Sequence, residues 1–123
     1  MAEVEAIVLF GHGARDAEWA EPFHKLQHML AARKPGIPVE LAFLELMQPS
    51  LPDAIANLAN RGIEAITVIP VFFARGGHLK QDVPLLLADI EKRHSTVRIK
   101  LTPAIGEVDM ILTAIAAWAC TVA

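Results

Sequence analysis

Two histidines, His12 and His78, each lie among glycines directly after a run of strand-forming residues. Glycine permits unusual backbone angles and the close approach of a bulky ligand, so both rings can face an open pocket. Imidazole binds Fe, Co, Ni, Cu and Zn alike. Two such rings at two strand ends therefore indicate a divalent transition metal, without choosing which one. For either histidine taken alone, a purely structural role stays the more common alternative.

A carboxylate, Glu45, follows the second apolar run directly after Phe43 and Leu44. It can add an oxygen ligand to a metal, or accept a proton that leaves a substrate. A solvated loop charge or an acceptor at a helix terminus explains it equally well. Glu45 is therefore the third candidate for a catalytic role, after the two histidines.

Three cations close in sequence to these histidines, Arg15, Arg75 and Lys80, fit the recognition of an anionic small molecule. Guanidinium groups pair with carboxylates through two hydrogen bonds, and lysine supplies a point charge. Each of the three, taken alone, is more often an exposed surface residue. Gly76 and Gly77 can instead hold a phosphate at a helix N-terminus, but their spacing does not match a Walker motif.

The other three of the five histidines point to less specific roles. His24 and His28 have the i, i+4 spacing that places two side chains on one helix face. They lie opposite the apolar stripe of their predicted helix, so we expect them to face solvent. His94 lies near a predicted helix C-terminus, where a positive charge interacts favourably with the helix dipole. Of the five histidines, only His12 and His78 are therefore expected to carry the function.

Four apolar, β-branched runs predict four strands, each followed by residues with helical spacing. The continuous Ile-Thr-Val-Ile stretch predicts that the third strand is buried on both faces. The predicted strands cover residues 4–10, 39–44, 65–71 and 97–101.

Capping residues and glycines set the predicted helix ends. Ser50 and Asp53 form a capping-box pattern at the start of the second helix, which Gly62 closes. Asp82 is expected to cap the third helix, which runs to about His94. The first helix is predicted over residues 16–34, with an apolar stripe of Trp19, Phe23, Leu26 and Leu30. The fourth starts near Gly106, with Ile111, Ile115, Trp118 and Val122 on one stripe.

Alternating strands and helices with short joints predict an α/β fold: a four-stranded parallel sheet with helices on both faces. In such sheets, the loops after the strands meet at one edge and carry the functional residues. Three loops qualify, at residues 11–16, 45–50 and 72–81, and together they contain all the candidate catalytic and cationic residues above.

Length and composition set the class of protein. A chain of 123 residues fits one domain over residues 1–123. The net charge of −3 argues against nucleic acid as a partner, because phosphate binding needs a basic surface. Cys120 is the only cysteine, which fits a reducing cytoplasm. The acidic N-terminus does not resemble an export signal, and no apolar stretch is long enough to span a membrane.

At these residues, and over nearly the whole chain, the sequence resembles the small single-domain class II chelatases of the CbiX type, the sirohydrochlorin chelatases of tetrapyrrole pathways. The matching motifs end the first three strands and follow in the same order. They are residues 9–15 (LFGHGAR), residues 43–45 (FLE) with 49–51 (PSL), and residues 68–78 (VIPVFFARGGH) with 82–84 (DVP).

The resemblance implies that His12 and His78 bind the incoming metal. It also implies a homodimer, since chains of this length resemble one lobe of the two-lobed chelatases, and this would explain the 54% apolar content. The last helix, with Trp118, is the expected part of that contact or else of the core. Two residues depart from many relatives: Ala14 replaces a serine, and Arg75 replaces a small or neutral residue.

The implied reaction inserts a divalent metal, Co²⁺, Fe²⁺ or Ni²⁺, into sirohydrochlorin or a related tetrapyrrole, with no organic cofactor. Phe72, Phe73 or Met47 is available as an apolar wall for the macrocycle. Two alternatives remain. One is a metal or tetrapyrrole carrier without turnover. The other is a phosphotransfer enzyme with His12 as nucleophile, although the arginine usual before such a histidine is missing.

Overall fold

The computed structural model describes residues 4–123 and contains four strands and four helices. The first three residues, on which the expectation of no export signal partly rests, lie outside this range. The strands are β1 (Glu5–Gly11), β2 (Val39–Phe43), β3 (Ala65–Pro70) and β4 (Arg98–Leu101). The helices are α1 (Glu21–Arg33), α2 (Leu51–Asn60), α3 (Gly77–Arg93) and α4 (Asp109–Val122), with 3₁₀ turns at Ala17–Ala20 and Ile105–Glu107.

All four strands pair in parallel in the order β2-β1-β3-β4. In the centre of the sheet, Leu9 of β1 is in register with Leu41 of β2 and Ile69 of β3. The predicted four-stranded parallel sheet is confirmed. Its carboxyl-terminal edge gathers the loops that follow the strands, as expected for this class of fold.

The core has two layers because successive β1 side chains point to opposite faces of the sheet. Ala6, Val8 and Phe10 pack with buried residues of α2 and α3, whereas Leu9 packs with Phe23 of α1. Helices therefore flank both faces, as predicted. The expectation that β3 is buried on both faces is wrong, because buried residues alternate along this strand with half-buried ones.

Both predicted ends of α2 are confirmed, whereas the predicted start of the first helix is shifted. The Ser50 hydroxyl accepts a hydrogen bond from the Asp53 amide at 3.2 Å and begins α2. Gly62 follows α2 with a φ of 85°, a conformation that favours glycine. The expected first helix divides, because Asp16 accepts from the Glu18 amide at 3.0 Å and begins the 3₁₀ turn that precedes α1.

The last helix, α4, packs loosely: every one of its residues is exposed or half-buried. An open apolar groove of about 290 Å³ lies beside the first turn of α4, next to the half-buried side of β3. The groove is lined by Leu9, Leu26, Leu30, Ile69, Val71 and Ile111, with others. Over residues 4–123, none of the helices has the length and apolar character needed to cross a bilayer.

Candidate active site

The His12 ring lies at the end of β1, exposed on one side and packed against the protein on the other. Its centroid is 4.7 Å from that of Phe72, with the two planes inclined at 46°. Phe72 is itself buried and makes an edge contact with Phe10 at 5.5 Å. The imidazole of His12 therefore rests on an aromatic residue of the core, which limits the directions it can take.

Two backbone hydrogen bonds join the segment around His12 to the loop after β2. The Leu44 amide donates to the Gly11 carbonyl at 2.9 Å, and the Glu45 amide donates to the His12 carbonyl at 3.0 Å. Gly13 has a φ of 91°, and a Cβ there would collide with the Glu45 carbonyl oxygen. Glycine is thus required at position 13 both by its backbone angle and by this close approach.

The Glu45 loop exposes both its carboxylate and its apolar neighbours. Leu46 has a φ of 66°, a left-handed conformation that is uncommon for a leucine. The side chains of Leu44, Glu45 and Leu46 are all exposed. Residues with such uncommon backbone angles are found most often at functional sites, where surrounding contacts hold them in place.

His78 lies in the first turn of α3, because this helix begins six residues earlier than the sequence predicted. Gly76, with extended φ and ψ of −67° and 166°, is the N-cap, so the predicted cap at Asp82 is wrong. The His78 side chain is 99% exposed, and its Nδ1 lies 3.7 Å from the carboxylate of Asp82, one turn later. That separation is longer than a hydrogen bond.

His12 and His78 follow neighbouring strands of the sheet. The Val71 amide donates to the Phe10 carbonyl at 2.8 Å and extends the β1–β3 pairing to the edge. The chain leaves β1 towards β2 on one side and crosses to β3 on the other. The strand order therefore reverses between β1 and β3, where open α/β sheets bind their ligands.

The structure does not bring the predicted residues into one closed metal cage. Within residues 4–123, no group of three or more histidine, cysteine, aspartate or glutamate side chains is arranged to hold a metal ion. Catalytic metal sites keep a coordination position open, unlike closed structural sites.

The three predicted cations differ in their surroundings. Arg15 and Lys80 are exposed. Arg75 is only 19% exposed, because its Nε and Nη2 donate to the two carboxylate oxygens of Glu107 at 3.0 and 3.4 Å. A guanidinium has five N–H donors, and these bonds use two of them. The others remain able to meet a second anion.

Glu107 is the residue that the sequence analysis missed. It lies in the loop after β4, the fourth strand end at the same edge, and its Oε1 also accepts from the Ala104 amide at 3.2 Å. The Arg75 hydrogen bond lowers the pKa of Glu107, helped by the Ala104 amide and the Lys80 charge and opposed by partial burial. A carboxylate after the fourth strand was the available signal.

The remaining predicted positions divide into exposed and buried ones. A Cβ at Gly76 or Gly77 would meet open space in the described part of the chain, so neither glycine is required by crowding. Phe73 is exposed and Met47 half-buried, but the expectation that Phe72 forms a pocket wall is wrong. Phe72 belongs to the core beneath His12. The helix residues His24 and His28 face solvent, as predicted.

A parallel α/β sheet with a histidine after each of the two strands at which its order reverses has the arrangement that open α/β folds use to bind ligands. The sequence model of the CbiX family matches residues 6–120, and the chain therefore belongs to the CbiX family. This confirms the family resemblance read from the motifs at the strand ends.

Two similar proteins are the sirohydrochlorin cobaltochelatases of Methanocaldococcus jannaschii and Sulfurisphaera tokodaii. The first is 37% identical over 91 residues, covering 74% of this chain and 64% of the relative. The second is 35% identical over 100 residues, covering 81% and 78%. The match thus spans slightly less than two thirds of the M. jannaschii protein.

Two solved structures share the fold. The CbiX protein of Marinobacter aquaeolei VT8 has a TM-score of 0.83 and 33% identity, over 95% of both chains. SirB, the sirohydrochlorin chelatase of Bacillus subtilis subspecies spizizenii in complex with cobalt, has a TM-score of 0.77 and 25% identity. The latter match covers 92% of this chain and 48% of SirB, which agrees with the expected size of a single lobe.

Proposed function

We propose that this protein inserts a divalent metal ion, Co²⁺, Fe²⁺ or Ni²⁺, into sirohydrochlorin or a closely related tetrapyrrole. The observation that carries the proposal is the placement of His12 and His78 after neighbouring strands, in a chain of the CbiX family. The names of its relatives, which are sirohydrochlorin cobaltochelatases, support the same substrate.

The metal is a substrate of this reaction. His12 and His78 would bind it through neutral imidazoles and leave coordination positions open for the ring nitrogens of the macrocycle. Insertion forms metal–nitrogen bonds and releases two protons from pyrrole nitrogens. No organic cofactor takes part.

Glu45 is the residue that we propose as proton acceptor or as an additional oxygen ligand. Its amide is bonded to the His12 carbonyl, and its side chain is exposed at the same edge of the sheet. A carboxylate in that place can accept a proton from a macrocycle held over His12. A histidine released from the metal can accept the second proton.

The macrocycle itself would be held by cations at its rim and apolar side chains below it. Arg15, Arg75 and Lys80 suit its peripheral carboxylates, and the backbone at Gly76 and Gly77 leaves space for one of them. Phe73, which is 65% exposed, offers an apolar surface in the same loop. A large flat anion needs both kinds of contact.

We further propose that residues 1–123 act as one chelatase-like domain and that two copies form a homodimer in the cytoplasm. The support for the dimer is α4, whose residues 110–122 carry no charged side chain and expose Trp118 at 65%. An exposed apolar surface of this kind marks an interaction site. The lone thiol of Cys120 suits a reducing compartment.

Multiple turnover is the test of this function. Purified protein is incubated anaerobically with excess sirohydrochlorin and with Co²⁺, Fe²⁺ or Ni²⁺, and the absorbance change is compared with that of the reaction without protein. We expect many metallated products per protomer for at least one metal. A product yield that stops at one per protomer would instead identify a carrier, and a rate equal to the uncatalysed one would reject the function.

A further inference from the structure

Glu107 connects two loops at the functional edge of the sheet. It lies after β4, and its carboxylate accepts three hydrogen bonds: two from Arg75 in the loop after β3 and one from the amide of Ala104. Arg75 lies three residues before His78 in sequence. The carboxylate thus ties the loop that leads into the His78 helix to the turn that precedes α4.

The backbone joins the same two loops at a second place. The Gly106 amide donates to the Phe72 carbonyl at 3.2 Å, and a Cβ at position 106 would collide with the backbone of Phe73. This close approach requires glycine, as at Gly13 on the other side of the site. The loop after β3 is therefore held both by this close backbone packing and by the Glu107 carboxylate.

The setting of the ion pair favours an ordering role. Exposed ion pairs contribute little, since water competes for both partners and long side chains lose entropy. Arg75 and Glu107 are only 19% and 35% exposed, and their contact is bidentate, which fixes the plane of the guanidinium. By comparison, the single contact between Arg61 and Glu40 at 3.2 Å has side chains that are 55% and 41% exposed.

We infer that Glu107 is a positioning residue for anion recognition at this edge: it orients Arg75 so that the unused N–H donors of Arg75 can bind a carboxylate of the substrate. The inference rests on the proposed function for the identity of that carboxylate. Glu107 supplies the acceptor that holds the Arg75 guanidinium in place.

The test compares Glu107→Gln with Glu40→Gln, which removes the carboxylate of the other Arg–Glu contact. The kinetic constants for sirohydrochlorin are measured at saturating Co²⁺. Glu107→Gln should raise KM about tenfold, the effect of losing one good interaction, and change kcat less than about twofold. Glu40→Gln should change neither. An unaltered KM in the Glu107 variant would overturn the inference.

A double-mutant cycle shows whether Glu107 acts through Arg75. Arg75→Gln alone should raise KM at least as much as Glu107→Gln, and adding Glu107→Gln to it should have no further effect, since coupled residues are not additive. Independent, additive effects would contradict the inference.

Two further readouts separate this inference from the proposed function. If the wild-type protein binds sirohydrochlorin without turnover, the function fails, and the same cycle is then measured on the dissociation constant by visible absorbance. Absence of binding would overturn both. The rate of amide hydrogen exchange at Gly106 and Ala104 should also rise in Glu107→Gln but not in Glu40→Gln. Unchanged exchange at these two amides in Glu107→Gln would contradict the positioning role of Glu107.

Discussion

The Glu45 amide donates a hydrogen bond of 3.0 Å to the carbonyl oxygen of His12, which joins the proposed base to the proposed metal ligand through the backbone. This bond continues the pairing of β1 and β2 beyond their last ladder residues, Gly11 and Phe43. The positions of the two side chains are thus set relative to each other by the sheet. Changes at this junction should alter function and stability together.

Gly13→Ala tests the junction directly. It combines a positive φ with a collision against the Glu45 carbonyl oxygen, so we expect a loss of about 3 kcal/mol in the free energy of unfolding. Gly36→Ala is the matched control, with a φ of 90° and open space around the added Cβ among the described residues. It should cost about 1 kcal/mol. Equal losses in urea unfolding would contradict the account.

Much of the fold follows from local patterns in the sequence. The apolar runs predicted all four strands, and Ser50 and Gly62 marked the ends of α2 correctly. The prediction for β3 was wrong because a continuous apolar run does not show how far helices cover each face. Here the side that carries Ile69 and Val71 borders an open groove.

The site was predictable only in part. His12 and His78 could be predicted because each lies among glycines directly after a predicted strand, and parallel strands end at a common edge of the sheet. The start of α3 was missed because the backbone of Gly76 forms the cap without a side chain, whereas Asp82 offered a conventional one. Glu107 was missed because its partner, Arg75, is 32 residues away in sequence, and only the tertiary fold brings them together.

Stability should depend on pH through Glu107. Because Arg75 lowers the pKa of this carboxyl in the folded protein, its contribution is fully present above the unfolded-state pKa, about 4.3. It is lost as the pH falls through the lower folded-state pKa. The difference in unfolding free energy between wild type and Glu107→Gln should therefore shrink from about pH 7 to about pH 3. Denaturant titrations at both values measure it.

Arg75→Gln removes the cause of the lowered pKa and serves as the companion variant. Its difference from wild type should shrink over the same pH range. A difference that stays constant down to about pH 3 for both variants would show that the carboxylate charge of Glu107 does not stabilise the fold.

The proposed dimer can be tested on α4. Trp118→Glu places a charge on an apolar helix surface and should convert a dimer to a monomer, because burying an unpaired charge is unfavourable. Light scattering coupled to gel filtration gives the mass. Leu85→Glu, at an equally exposed leucine of α3, should leave the dimer intact. A dimeric Trp118→Glu protein would remove α4 from the proposed interface.

The central claim concerns His12 and His78, and anaerobic metal insertion by their alanine variants tests it most directly. His78 is 99% exposed and His12 packs on Phe72 alone among the described aromatic rings, so both variants should stay folded by circular dichroism. We predict that each inserts Co²⁺ or Fe²⁺ into sirohydrochlorin no faster than the reaction without protein, while His24→Ala retains the wild-type rate. Insertion at the wild-type rate by folded His78→Ala protein would contradict the account.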